Sequence, residues 1–358
     1  MTPIDILVTG TGSFAARIVF DIAATAKRPV RVRIAGRNRA RLEWLTTASN
    51  ARAKIFGTPA RFDSAEADLL SVDAAAELLA AAQPRLIVQA ASVQTSSVIA
   101  QTGNAWTRLV AEGGLSATAI FQTVISRNVG KAIKATGQNA ALINCSFPDV
   151  VNGMLVAMGH PILCGTGNVA ILSSVFAGSG AVPDGADLKV LSHYQNLMSF
   201  RRAPSERGGE TARVWIDNRE VADVFALFAR VKLTPEPVID ISGASGVPLM
   251  LAFVAGEQWR GHVPGPNGLP GGYPVVLEAG ELKLDLPSDF GRDAAVAWNE
   301  AFERRSGLIV EDGKAIYTGR LEECIRAHDR TLADGFELSE FEPALKEMSL
   351  LRDKLSNS

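Results

Sequence analysis

Two rhythms of apolar residues alternate along the first half of this chain. Short apolar runs at Ile4–Val8, Val30–Ala35, Leu86–Gln89 and Ala140–Cys145 read as strands. Between them, Phe14–Thr25, Ala40–Ala48, Val72–Ala82 and Ala117–Thr136 space their apolar residues as helices do. Ala65–Leu69 is read as a further strand, ending near Asp68 ahead of a helix. Strand and helix in strict alternation predict an α/β protein with a Rossmann-type, doubly wound parallel sheet.

The rhythm changes after Pro148. Val150–Met158 reads as helix, Leu188–His193 and Thr211–Ile216 as strands, and Glu220–Leu233 and Ser245–Glu257 as helices. A Gly/Pro-rich hairpin region, His262–Tyr273, precedes strands at Pro274–Glu278 and Glu281–Asp285, a helix at Ala294–Arg304 and a charged helical tail from Leu321 to Leu355. The expected division is a dinucleotide-binding domain over 1–147 and a substrate or dimerisation domain over 148–358.

The 358 residues carry a net charge of −2 with no basic block, which argues against a nucleic-acid footprint. Three cysteines, none in a CxxC pair, suggest a reducing compartment rather than a disulfide framework. The opening MTPIDILVTG has no basic leader and no long apolar stretch, and no apolar run reaches membrane-spanning length. A cytoplasmic location, a small-molecule substrate and no membrane or nucleic-acid partner are therefore expected.

The stretch ILVTGTGSFAARIVFDIA holds Gly10, Gly12 and Ala15 between a strand and a helix. In this context Gly10 permits a tight turn, Gly12 admits a pyrophosphate, and Ala15 lets the helix pack close to the strand. The amides that open the helix at Gly12, Ser13 and Phe14 would face the phosphates. The second strand ends in Arg37-Asn38-Arg39, where NAD-binding chains usually place an acidic residue for the ribose 2′-OH. A guanidinium there suits a 2′-phosphate, so the expected cofactor is NADP, held by Arg37 and Asn38.

Several longer stretches resemble the lactate/malate dehydrogenases in order and spacing over about residues 4–305. LIVQAASVQTSS is similar to their fourth strand and following loop, and SFPDVV to their Asn-Pro turn. SGASGVPLMLAFVAG resembles the start of their active-site Ser/Thr helix, and GYPVVLEAGELKLDLP their late hairpin. The resemblance implies a C-terminal α+β domain and a homodimer or homotetramer. It implies that His193 is the proton donor, that Ser245 lines the nicotinamide pocket, and that Ala90 and Ala91 back the cofactor. Gln94 through Asn104 would form a flap, with Arg108 reaching the substrate from its end.

The departures from the pattern matter equally. Ala170 and Ser173 stand where the family keeps the aspartate that pairs with its histidine and the arginine that grips a carboxylate, and Phe147 replaces the Asn of Asn-Pro. The expected substrate is thus a carbonyl or imine compound without the usual carboxylate handle, with Asn168 or Asp149 orienting His193. Two other readings follow from the same residues. One is a catalytically silent NADP-binding sensor or scaffold. The other is a metal-assisted enzyme similar to the NAD-dependent family 4 glycosidases, with Cys164 and His193 as metal ligands, although Gly165 and Phe147 break that family's pattern. His160 reads as a turn histidine, and His262 and His328 as solvent-facing.

Overall fold

The computed structural model describes residues 3–94, 103–233 and 238–357. The first half runs β1 (Ile6–Thr9), α1 (Ser13–Thr25), β2 (Val30–Gly36), α2 (Arg39–Phe56), β3 (Ala60–Glu66), α3 (Val72–Ala82), β4 (Leu86–Gln89), α4 (Ala105–Gly113), α5 (Ala119–Thr136) and β5 (Ala141–Asn144). Then come α6 (Val150–Ala157), β6 (Cys164–Gly165) and α7 (Val169–Ala177). The six strands form one parallel sheet in the order β3-β2-β1-β4-β5-β6, the doubly wound arrangement the alternation predicts. Every residue of β1 and β4 is buried, because helices cover both faces.

The third strand lies earlier than expected. It spans Ala60–Glu66 and pairs in register with β2 from Val30↔Ala60 to Gly36↔Glu66. ARFDSAE looks polar because it is an edge strand with one wet face, so its signal is alternation rather than an apolar run.

The second half contains β7 (Leu188–Leu191), α8 (Tyr194–Ser199), β8 (Arg213–Ile216), β9 (Arg219–Glu220) and α9 (Val224–Leu227). The helix expected over Glu220–Leu233 is instead a short strand and a one-turn helix. Asp217 and Asn218 both take positive φ and turn β8 back onto β9 as a tight hairpin. The single helix expected over Ser245–Glu257 is two, α10 (Ile239–Ser245) and α11 (Val247–Ala255), separated at Gly246 with Pro248 in the first turn of α11. Trp259 and Arg260 lie on β10 (Trp259–Pro264), which pairs with β11 (Gly272–Glu278) and through it with β12 (Glu281–Leu284).

After α12 (Arg292–Arg305) the tail is not a solvated helix. It forms the hairpin β13 (Leu308–Glu311) and β14 (Lys314–Tyr317), then α13 (Gly319–Arg326), α14 (Arg330–Ala333), β15 (Phe336–Glu337) and α15 (Phe341–Ser356). Its apolar residues Leu321, Ile325, Phe341, Met348 and Leu351 share one core with Trp106, Phe121 and Ile125 of α4 and α5. The opposite face of the sheet is filled by α1, α2, α11 and the β10–β12 sheet.

Candidate functional site along the C-terminal edge of the sheet

In a parallel sheet all strands deliver their C-terminal ends to one edge, and ligands bind there beside the point where strand order reverses. Here that point lies between β1 and β4. The turn after β1 is built for close approach. Gly10 has φ +114°, and a Cβ on it would stand 2.9 Å from the backbone nitrogen of Ala91. No L side chain fits that position. Gly12 has open space beyond it, Gly12 and Ser13 are exposed, and no side chain caps the first turn of α1. Phe14 is half-buried and packs against the core that α1 shares with the sheet. The cradle therefore fits the pyrophosphate of a dinucleotide: no side chain caps the amides that open α1, and no Cβ fills the approach at Gly12.

At the end of β2, Arg37 is exposed and stands 3.8 Å from the Asp68 carboxylate. Asn38 is engaged locally, its Oδ1 accepting from the Arg41 amide at 3.0 Å as the N-cap of α2. Arg41 Nε donates to the Thr11 carbonyl oxygen at 3.2 Å, which holds a second guanidinium beside the glycine turn.

Ala90 and Ala91 follow β4 and wall the turn from below, Ala90 donating its amide to the Thr9 carbonyl. Beneath them runs a buried polar chain. Thr9 Oγ1 donates to Gln89 Oε1 at 2.8 Å, Gln89 Nε2 to Ser126 Oγ at 3.0 Å, and Ser126 Oγ to Asn144 Oδ1 at 2.7 Å. Asn144 Nδ2 then donates to Asn152 Oδ1 at 2.8 Å. Sequence reasoning passed over these residues. Their signal is a polar residue closing each apolar strand: Thr9 in ILVT, Gln89 in LIVQ and Asn144 in ALIN.

The ends of β5 and β6 carry the most unusual chemistry. Asp149, immediately before α6, is buried, and Asn168, immediately before α7, donates its Nδ2 to Asp149 Oδ1 at 2.5 Å. Asn168 holds φ +44° and ψ −105°, a sparsely populated backbone conformation for a residue with a side chain. Asp149 Oδ2 is buried without a partner. Burial pushes the Asp149 carboxyl up to about 7 despite the Asn168 hydrogen bond, which pulls the other way. Glu303 on α12 is raised to about 8 by burial and by the Asp149 charge, with the Gly271 amide donating to its Oε1 at 3.3 Å.

His193 closes the same wall. It is the N-cap of α8: its Nδ1 accepts from the Gln195 amide at 3.3 Å, and its own amide donates to Asn196 Oδ1 at 2.8 Å. Its ring stacks on Phe302 with centroids 5.7 Å apart and lies 4.5 Å from the Tyr194 ring, which meets Phe147 edge-on. Only 1% of it is exposed, and burial with the nearby Arg305 charge lowers it to about 3. The titration near neutrality expected of a histidine acid is absent, and the ring is uncharged at pH 7. A lone pair on Nδ1 places the proton on Nε2. His193 is oriented by α8, and Asp149 hydrogen-bonds to Asn168.

The other expected residues make local hydrogen bonds. Ser245 ends α10 and donates to the Ser242 carbonyl at 2.9 Å. Arg108 is exposed on α4 and reaches back to the Gly103 carbonyl at 3.4 Å. Most of the expected flap, 95–102, lies outside the described residues. Ser173 Oγ donates to the Ala170 carbonyl at 3.2 Å, so neither residue presents charge. Cys164 is buried on β6, and no group of three or more His, Cys, Asp or Glu among the described residues could hold a metal ion. His262 is not free in solvent; its Nε2 accepts from the Val190 amide at 3.0 Å. Among the described residues no helix is long and apolar enough to cross a membrane.

The architecture is that of the lactate and malate dehydrogenases. The chain is similar to the lactate dehydrogenase from Eimeria maxima with NADH and oxamate at 14% identity and TM-score 0.53, covering 84% of this chain and 94% of that one. It is similar to the malate dehydrogenase from Salinibacter ruber at 13% identity and TM-score 0.53, over 84% and 98% of the two chains. A lactate dehydrogenase from Cryptosporidium parvum complexed with lactic acid and nicotinamide adenine dinucleotide matches at 12% identity and TM-score 0.53, over 85% and 96%. No family model and no curated protein matches the sequence. These likenesses define the fold.

Proposed function

We propose that the protein is an NADP(H)-dependent oxidoreductase acting on a carbonyl or imine group of a small molecule that lacks a carboxylate beside the reacting carbon. The observation that carries this reading is the Gly10–Gly12 turn, in which Gly10 packs too close to Ala91 for a Cβ and Gly12 has open space beyond it for a dinucleotide. When bound, the nicotinamide would supply or accept the hydride. The chain would supply position. The amides of Gly12, Ser13 and Phe14 would meet the pyrophosphate, and Arg37, released from Asp68, would meet the 2′-phosphate. Ala90 and Ala91 would support the ribose side. Half-buried Phe147, with Tyr194 behind it, would face the substrate with apolar surface where a carboxylate-binding enzyme needs a cation. The neutral imidazole of His193 would act as a hydrogen-bond donor through Nε2.

Fluorescence titration with NADPH and NADH tests the cofactor half. NADPH should bind more tightly, and Arg37→Ala should weaken it about tenfold, the loss of one charge-assisted hydrogen-bond pair, without affecting NADH. Equal affinities for the two nucleotides in the parent protein would sink the NADP assignment. The substrate half is tested by following NADPH oxidation against aldehydes, ketones and imines with and without a neighbouring carboxylate. A missing charge clamp and an uncharged His193 favour a second reading, an NADP-binding protein without turnover. NADPH binding with no oxidation by any compound would support it.

A further inference from the structure

We infer that Asp149 is the proton donor of this site and that Asn168 is its positioning residue. The inference rests on the oxidoreductase reading above. Asp149 stands at the C-terminal end of β5 and Asn168 at that of β6, the strands beyond the switch point on the side away from Arg37. A dinucleotide with its phosphates at Gly10–Gly12 and its 2′-phosphate at Arg37 would place its nicotinamide on the side of these ends.

Two costly features sit together there. Asn168 holds a backbone conformation at φ +44° that side chains avoid, and it spends its amide on Asp149 Oδ1 at 2.5 Å. Asp149 Oδ2 is left buried with no partner, although buried polar atoms are nearly always paired. One oxygen is thus clamped and the other kept for a partner that arrives from outside the chain. The remaining charged or titratable neighbours do not quench it. Tyr194 on α8 and Glu303 on α12 share its surroundings, both raised by burial, and Arg305 on the same helix acts on His193 and pairs with Glu210. The carboxyl therefore keeps its proton to about pH 7, whereas the neutral His193 ring carries no imidazolium proton to give as an acid.

In the reductive direction the carbonyl carbon gains a hydride from the reduced nicotinamide. The carbonyl π pair takes the Oδ2 proton, the carbonyl compound becomes an alcohol, and Asp149 is left as a carboxylate. Asn168 Nδ2–H stabilises that anion, and solvent returns the proton.

The carboxylate should also be favoured by the positive ring of NADP+ and not by neutral NADPH. This gives a test that needs no substrate: proton release on adding each nucleotide, read with a pH indicator in weakly buffered solution at pH 7. The 2′-phosphate contributes equally to both nucleotides, so the difference between them isolates the ring charge. NADP+ should release about half a proton more than NADPH, the amount expected of a group titrating near 7. Glu303→Gln should keep that difference, Asp149→Asn should abolish it, and Asn168→Ala should move its midpoint to higher pH. Should Asp149→Asn fail to fold, the protonated-carboxyl infrared band of the Glu303→Gln protein serves instead and must disappear with NADP+. Equal release from both nucleotides, or a difference that survives in Asp149→Asn, overturns the assignment alone. Failure of both nucleotides to bind overturns the oxidoreductase reading and this assignment with it.

Discussion

Single residues at the sheet edge show where local cost has been accepted. Gly10 takes φ +114° with Ala91 N in the space a Cβ would need, so Gly10→Ala must both strain the backbone and push β4 away. We expect it to lose nucleotide binding and about 1–3 kcal/mol of stability, read by titration and by urea denaturation. His193 is a different case. Its cap of α8 and its stack on Phe302 are structural, so His193→Ala should cost about 2–4 kcal/mol through a lost cap and a cavity. His193→Asn, which keeps a capping side chain, should recover part of that loss. Full stability of the alanine variant would show that the ring is not packed as described. The sequence points to His193 by its place in the chain, but it cannot show that the ring ends up buried and neutral. That depends on Phe302, more than a hundred residues away.

At the scale of elements, the first half was readable because parallel strands and their helices are continuous local patterns. Val72–Ala82 and Leu86–Gln89 lie where their apolar spacing puts them. The failures share a cause. β3 is an edge strand, β9 is made by the Asp217-Asn218 turn, and β13–β14 by the turn at Asp312-Gly313. In each, pairing with a neighbour outweighs local propensity. The Asp149–Asn168 contact was invisible for the same reason, since it joins two loops that only the β5–β6 pairing brings together. The polar chain from Thr9 to Asn152 ties the ends of β1, β4 and β5 to α6. Ser126→Ala leaves Gln89 Nε2 and Asn144 Oδ1 each short of a buried partner. It should destabilise the protein by about 1–3 kcal/mol in a chemical denaturation curve and weaken NADPH binding, although Ser126 lies beneath the sheet edge.

For the molecule as a whole, buried ionisable groups set the pH of greatest stability. His160, His193 and His262 are lowered to about 4, 3 and 4. Unfolding lets all three take up protons below their ordinary value near 6.5, so each withdraws stability as pH falls through that range. Asp149 and Glu303 are raised to about 7 and 8, so the folded chain keeps two protons that the unfolded chain releases above about pH 4. Their contribution fades as pH rises through 7 and 8. Between about pH 4 and 6.5 the three histidines outnumber the two carboxyls, and above 6.5 only the carboxyls act. Thermal unfolding across pH should therefore show a maximum near 6.5, with a fall on both sides. A plateau from pH 6 to 9 would contradict the burial of these groups.

The packing of Leu321, Phe341 and Met348 against α4 and α5 also has a bearing on biosynthesis. A nascent chain that has emerged only as far as β6 holds every strand of the parallel sheet, yet one side of its helical layer still lacks its cover. That greasy surface must wait through the synthesis of more than a hundred further residues before the last helix settles on it. A ribosome-bound half of this chain therefore leaves that apolar face uncovered, the kind of transiently exposed surface on which misassembly starts.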